Sequence, residues 1–316
     1  MKTIPLVLFT YNRPDLLRQT LESLAKNTIA MQTDMIVFSD GPKPDATTIQ
    51  QEKIREVRTI LREKNWCKSI TIIEAPENNG LAKSVIEGVS MVLSKHEKVI
   101  VIEDDILLSA FFLQYMNDSL NHYESNSKVF AVGAWTYFTR SDFNNETFFL
   151  RYPDSIAWGT FKRSWDLFEY DAKKLQEKLI ATKRMSAFNG FRNLKYFEPM
   201  LQSFIDGKID SWAIRWTATS ILHQGLSVFP PVSMVKHMGF SSDGTHERMA
   251  DYNADLVLAH TAVSKMNDNV TESPIAFQDW RSFIKDRFLH SSSRKVKLLN
   301  TIRENLPKFI HDILFR

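Results

Sequence analysis

The sequence has little of what would place it in several large functional classes. Its single cysteine, Cys67, excludes an internal disulfide and a cysteine-rich metal site. One thiol in 316 residues fits a reducing compartment, and Cys67 itself is read as a buried spectator. No stretch reaches the ~18 apolar residues that a membrane span needs. The N-terminal IPLVLF is too short for a signal-peptide core and runs straight into a polar motif. The expectation is a soluble, cytoplasmic protein. The formal net charge of +3 is too small to argue for a nucleic-acid partner. Internal repeats and low-complexity segments are absent, so nothing points to a solenoid or a tail.

What is present is an ordinary globular composition, 43% hydrophobic and 24% charged, enough for a sizeable core. The 22 Phe and 7 Trp suit a deep core and also a stacking site. Four short apolar runs, PLVLF (5–9), MIVFS (35–39), ITIIE (70–74) and VIVIE (99–103), have the length and β-branched content of buried strands. Between them, residues 14–26 open on Pro14 and repeat Leu17, Leu21 and Leu24 on one face. Residues 81–95 do the same with Leu81, Val85, Val89 and Val92. Apolar strands alternating with amphipathic helices predict an α/β fold, a mostly parallel sheet with helices on both faces. Ligands of such sheets bind beyond the carboxyl ends of the strands. TYNR (10–13), DG (40–41) and EDD (103–105) all follow strands directly, so they should meet at that edge.

From about residue 129 the pattern changes. VFAVGAW (129–135) and GLSVFPP (225–231) read as strands, and residues 148–168 as a strand, a loop and a helix start. Charged helical residues 171–184 and one aromatic-rich helical stretch, 196–223, lie between.

The acidic triplet Glu103, Asp104 and Asp105 raises the sharpest question, because adjacent carboxylates repel one another. A solvated corner is one answer. A hard cation such as Mn²⁺ or Mg²⁺, held between protein and a diphosphate, is the other. Its surroundings favour the second. Thr10, Asn12 and Arg13 supply hydroxyl, amide and guanidinium groups, and Asp40 offers a carboxylate to a base or ribose. NNGLAKSV (78–85) brings a glycine loop and a helix start with Lys83, which can meet phosphate.

The spacing of TYNRP, SDG, NNGLAKSV and VIVIEDD resembles the nucleotide-sugar-binding half of GT-A glycosyltransferases, where the acidic triplet is the DXD motif. VGAW (132–135), WGTF (158–161), DSW (210–212) and GFSSDGTH (239–246) are similar, in order, to the inverting N-acetylglucosaminyltransferase I group and bacterial family-two-like sugar transferases. The resemblance spans roughly residues 3 to 250. It implies that Asp105 binds the metal and that Asp104 contacts sugar or ribose, beside Glu103. It also implies that Arg13 contacts phosphate and Asp40 reads uracil. The family's general base is the acid adjoining a tryptophan in DDW, whereas this chain has DSW, so Ser211 adjoins Trp212 and the nearest acid is Asp210. Asp210 is the favoured base, with Asp154 the alternative; the structural reading of Asp210 is a helix N-cap.

Three further assignments follow. Trp158 and Gly159, read as a loop before a helix, can floor a sugar pocket together with Trp212, with core packing the competing reading. His246 is a candidate extra metal ligand, and His237 a poorer one. The C-terminal residues 291–316 carry six basic against two acidic side chains and an apolar face, which suits the surface of an anionic membrane, a pack on the domain being the alternative. The predicted organisation is a donor-binding half, 1–130, an acceptor-binding and catalytic half of the same domain, 131–270, and basic amphipathic helices, 271–316. The predicted activity is metal-dependent, inverting transfer from a UDP-linked sugar to a glycan or lipid-linked acceptor in surface polysaccharide or lipopolysaccharide assembly. A nucleotidyltransferase is a second reading, although TYNRPD is not the glycine-rich basic loop such enzymes carry. A non-catalytic sugar- or nucleotide-binding protein is a third.

Overall fold

The computed structural model describes residues 3–136, 143–190, 195–238 and 256–291. The four apolar runs form β1 (Leu6–Thr10), β2 (Asp34–Ser39), β3 (Ser69–Glu74) and β4 (Lys98–Glu103). They are joined by α1 (Pro14–Ala25), α2 (Thr48–Ile60) and α3 (Leu81–Leu93) and pair in parallel in the order β3-β2-β1-β4. Period-two alternation sends successive side chains to opposite faces. Leu6, Leu8, Ile100 and Ile102 pack with Leu17, Leu21 and Leu24 of α1 and Val57 and Ile60 of α2. Val7, Phe9, Val99 and Val101 pack with Val85, Val89 and Val92 of α3. Leu81, expected on that same buried stripe, is the first residue of α3 and is half exposed.

The chain continues through β5 (Ile106–Leu108), α4 (Phe112–His122), β6 (Val129–Gly133), β7 (Phe148–Leu150), β8 (Ala157–Phe161), α5 (Lys162–Trp165), α6 (Ala172–Ala181) and α7 (Met185–Asn189). Next come α8 (Phe197–Ile205), α9 (Trp212–Leu222), β9 (Leu226–Phe229), β10 (Val235–His237) and α10 (Pro274–Ser291). The main sheet runs β3-β2-β1-β4-β8-β6-β9-β7, with β8 antiparallel between β4 and β6, and β7 antiparallel on β9. The sheet is therefore continuous across residue 130. Antiparallel β8 starts where β4 ends, with Ala157 opposite Ile102, so the loop before β8 joins the ligand edge.

The stretch 196–223 is two helices, because the chain turns at Gly207, whose φ of +71° an L side chain tolerates poorly. WGTF is strand β8 and not a loop. Trp158 is 1% exposed and lies among Trp165, Trp212 and Trp216, its ring stacked on that of Trp212 at 4.9 Å. A Cβ on Gly159 would stand 2.9 Å from the Val99 carbonyl oxygen and from Leu120, so the glycine is there to let α4 and β4 approach. Trp158, Gly159 and Trp212 are packed in the core, which favours the packing reading over the sugar-pocket one; a run with only one glycine and bulky neighbours reads equally well as either in a sequence.

Cys67 is buried and its thiol is pushed up to about 12 by burial, as a packed spectator should be. At the other end of the chain, α10 docks on the domain through Ala276, Trp280 and Ile284, with Trp280 stacked on Tyr152 at 3.9 Å. Residues 292–316, which carry the basic amphipathic pattern, lie outside the described residues. Among the described residues no helix is long and apolar enough to cross a membrane.

Trp158→Ala should cost about 3–5 kcal/mol of stability by removing a buried indole, read as a lower denaturant midpoint. A variant of unchanged stability that loses only ligand affinity would return Trp158 to the binding site.

Candidate active site at the sheet edge

Parallel pairing sets Thr10 level with Ser39 and Phe9 level with Glu103, so the segments after β1, β2 and β4 emerge side by side. The three acids after Ile102 are handled in three different ways. Asp104 is buried, and its Oδ2 accepts from the Thr10 hydroxyl at 2.7 Å and the Tyr11 N–H at 3.1 Å. Its carbonyl accepts from the Thr20 hydroxyl at 2.9 Å, while the Thr20 oxygen accepts from the Ile106 N–H at 3.1 Å, which stitches α1 to the acidic turn. Asp105 Oδ2 accepts from Arg13 Nη1 at 2.7 Å. Its Oδ1 is buried with no hydrogen-bond partner, and His237 Nε2 stands 3.5 Å from it. Glu103 ends β4 on the α3 face, partly exposed, continuing the Val99–Val101 alternation.

His237 reaches Asp105 through a small second sheet. β10 lies antiparallel to β5 with His237 opposite Ile106, and the Met238 N–H donates to the Asp105 carbonyl at 2.7 Å. Sequence reasoning ranked His237 below His246. The pairing that brings it in joins segments about 130 residues apart, which no local pattern signals. His246 lies outside the described residues.

Crowding of acids shows in their protonation. Burial pushes Asp104 up to about 6, reinforced by the neighbouring Asp105 and opposed by Thr10 and Tyr11. Burial, then the charges of Asp105 and Asp104, hold Glu103 well above the usual carboxylate range. Burial also raises Asp105, against the pull of Arg13.

Asn12 sits in the turn between β1 and α1, partly exposed beside Arg13. Asp40 Oδ1 accepts from the N–H groups of Gly41 and Asn79 at 2.9 and 2.8 Å, and Oδ2 from Gly80 N–H and Asn78 Nδ2 at 3.0 and 2.9 Å. A carboxylate has about four acceptor positions, so Asp40 is fully used in shaping the loop before α3. Lys83, on the first turn of α3, is exposed and donates to Asn79 Oδ1 at 3.0 Å. Helix α9 must run away from the ligand edge, since it feeds β9 at the opposite edge, so Asp210 just before it stands at the ligand edge. Asp210 is 67% exposed, with Arg215 Nη2 at 3.9 Å. The N-cap of α9 is Ser211, whose hydroxyl accepts from the Ile214 N–H, and not Asp210.

Asp154, in the loop before β8, is buried. Its Oδ2 accepts from the N–H groups of Ala134 and Trp135 at 3.2 and 3.1 Å, and Oδ1 from Ile156 N–H at 2.9 Å. It clamps the end of β6 to the start of β8, a structural duty that takes three of its roughly four acceptor positions.

Among the described residues no group of three or more His, Cys, Asp or Glu is arranged to enclose a cation. A site that shares its cation with a substrate diphosphate needs no such cage, because Mg²⁺-type ions bind through one or two carboxylates plus phosphate oxygens. The buried, unpartnered Oδ1 of Asp105, with an imidazole beside it, fits that kind of site.

The acids predict a pH response. Asp154 is pushed up to about 6 by burial, against the pull of the Ile156, Trp135 and Ala134 amides. An unfolded aspartate releases its proton near 3.9, so between about pH 4 and 6 the folded chain binds more protons and stability falls as pH rises. Asp154→Asn should make that slope less steep by up to one proton, measured by denaturant unfolding at pH 4, 5 and 6. An unchanged slope would mean that Asp154 titrates normally.

The glycosyl transferase family 2 model matches residues 6–191, more than half of the chain. Among solved structures the chain is similar to the mannosyltransferase PcManGT from Pyrobaculum calidifontis in complex with GDP-Man and Mn²⁺, with 14% identity and a TM-score of 0.36 over 70% of this chain and 69% of that one. It is also similar to UDP-glucose pyrophosphorylase complexed with UDP-glucose, with 10% identity and a TM-score of 0.29 over 52% of this chain and 79% of that one. No curated protein sequence matches. The mostly parallel sheet, its helices on both faces and the family match together show a GT-A chain that belongs to glycosyl transferase family 2.

Proposed function

We propose that the chain is a metal-dependent, inverting glycosyltransferase that moves a sugar from a UDP-linked donor to a glycan or lipid-linked acceptor. The observation that carries this reading is the acidic corner, where Asp105 holds one oxygen toward Arg13 and leaves the other buried and unpartnered beside His237. Asp105 and His237 would hold Mn²⁺ or Mg²⁺, with Thr10 and Tyr11 fixing Asp104 next to them. When bound, the cation neutralises charge on the departing diphosphate. Arg13 and Lys83 add positive charge on the same side, and the loop that Asp40 organises sets where the nucleotide lies.

Asp210 is the proposed base. It stands exposed at the ligand edge, and a carboxylate there can take the proton of an acceptor hydroxyl as that oxygen attacks the anomeric carbon from the face opposite the diphosphate. Asp154 is the weaker choice, since removing its backbone donors would undo the β6–β8 clamp. In this reading residues 1–130 bind the donor and 131–270 shape the acceptor side. A lipid-linked acceptor in surface polysaccharide or lipopolysaccharide assembly gives residues 291–316 a reason to dock on the inner face of an anionic membrane. A nucleotidyltransferase is disfavoured by the family match and by the absence of a glycine-rich loop after β1.

The donor class is read by thermal shift. A nucleotide diphosphate at 100 times its dissociation constant adds about 2.7 kcal/mol of stability; UDP with Mn²⁺ should do this, and Asp105→Ala should lose it. A shift with GDP alone would replace uridine by guanosine, and none with any nucleotide would leave a degenerate, non-catalytic site. Asp210→Asn should keep the UDP and Mn²⁺ shift while transfer falls by about 10²–10⁴-fold, the usual contribution of a general base. Near-normal turnover would remove Asp210 from the mechanism.

A further inference from the structure

The Arg13–Asp105 pair has a feature that neither a structural salt bridge nor a phosphate contact explains. The two partners are unequally held: the Asp105 side chain is 5% exposed, whereas that of Arg13 is 30% exposed at the mouth of the edge. Asp105 is fixed from behind, because its carbonyl accepts from Met238 N–H and the next residue is pinned by Thr20. Arg13 is the last residue before α1, and its guanidinium donates to Asp105 Oδ2 at 2.7 Å. So the acid stays and the arginine is the arm that can leave.

What the arginine does at Asp105 is also what a divalent cation would do there. Three acids stand in sequence, and the Arg13 guanidinium is hydrogen-bonded to the last of them. A guanidinium hydrogen-bonded to Oδ2 and a metal ion on the same carboxylate compete for one charge.

We infer that Arg13 is an exchangeable stand-in for the metal: it neutralises Asp105 in the empty enzyme and is handed to the donor diphosphate when the cation arrives. The inference rests on the metal-dependent reading above. Planar guanidinium suits the second post as well as the first, since it pairs with carboxylate and with phosphate oxygens in the same forked geometry. The consequence is coupling. Metal alone meets a carboxylate whose charge the arginine already offsets through Oδ2, and nucleotide alone must draw the arginine away from Asp105, leaving a buried, uncompensated acid. Together each supplies the other's missing partner, so the two ligands bind with positive cooperativity that belongs to Arg13. Linkage makes that coupling reciprocal.

The test uses the full chain with Mn²⁺ and UDP as probes, Mn²⁺ binding being read directly by electron paramagnetic resonance of the free ion. In the wild type, saturating UDP should tighten Mn²⁺ binding at least about fivefold, the lower end of ordinary coupling. Arg13→Gln should bind Mn²⁺ alone about fivefold to tenfold more tightly than the wild type, with little further gain from UDP, because the competitor is gone. Arg13→Lys, which keeps charge without the fork, should restore competition while recovering only part of the coupling. Equal or weaker binding of Mn²⁺ alone by Arg13→Gln, in a variant that melts as the wild type does, would overturn the stand-in role while leaving the metal site intact. Wild type and Arg13→Gln both failing to bind Mn²⁺, with UDP or GDP present, would overturn the metal reading and this inference with it.

Discussion

Three carboxylates on consecutive residues at the end of a central buried strand repel one another, and the rest of the ligand edge is arranged around that repulsion. Each acid is treated separately. Asp104 is buried and bound by a hydroxyl and an amide of the β1–α1 turn. Asp105 accepts from Arg13 through one oxygen, and Glu103 is held toward its protonated form by burial first and then by the other two. Helix α1 is tied to this corner, because the Thr20 and Ser23 hydroxyls hydrogen-bond to the backbone of Asp104, Ile106 and Leu108.

The second half of the chain matters to the site because it returns to the same edge three times. β8 brings the Asp154 loop to the end of β4, α9 starts there with Asp210, and β10 lays His237 along Asp105. The first and third returns are fixed by backbone pairing, and the packing of Trp158 against Trp212 locks the second. The buried indole cluster positions the helix that carries the proposed base. A large apolar anchor beneath a polar, exposed acid keeps the acid in place without burying it.

The parallel half was legible in the sequence because its strands are short continuous apolar runs and its helices repeat leucine or valine at helical spacing. The clustering of TYNR, DG and EDD at one edge followed from parallel pairing alone. What was not legible depended on antiparallel, long-range pairing. Nothing local in AWGTF says whether its indole faces a ligand or the core, and only the register opposite β4 decides it. His237 needed a partner strand 130 residues away. Asp40 and Thr10 lie at the edge, but the Asp40 oxygens accept from Asn78, Asn79 and Gly80 and the Thr10 hydroxyl donates to Asp104, which a sequence cannot show.

The most direct test of the account is where a cation sits. Crystals grown with Mn²⁺ and UDP, measured at the manganese absorption edge, should show one strong anomalous peak bonded to a carboxylate oxygen of Asp105 and to the diphosphate. A peak away from the Glu103–Asp105 corner, or clear density for UDP with no anomalous peak beside it, would contradict the claim that these acids are gathered to hold a metal against a nucleotide.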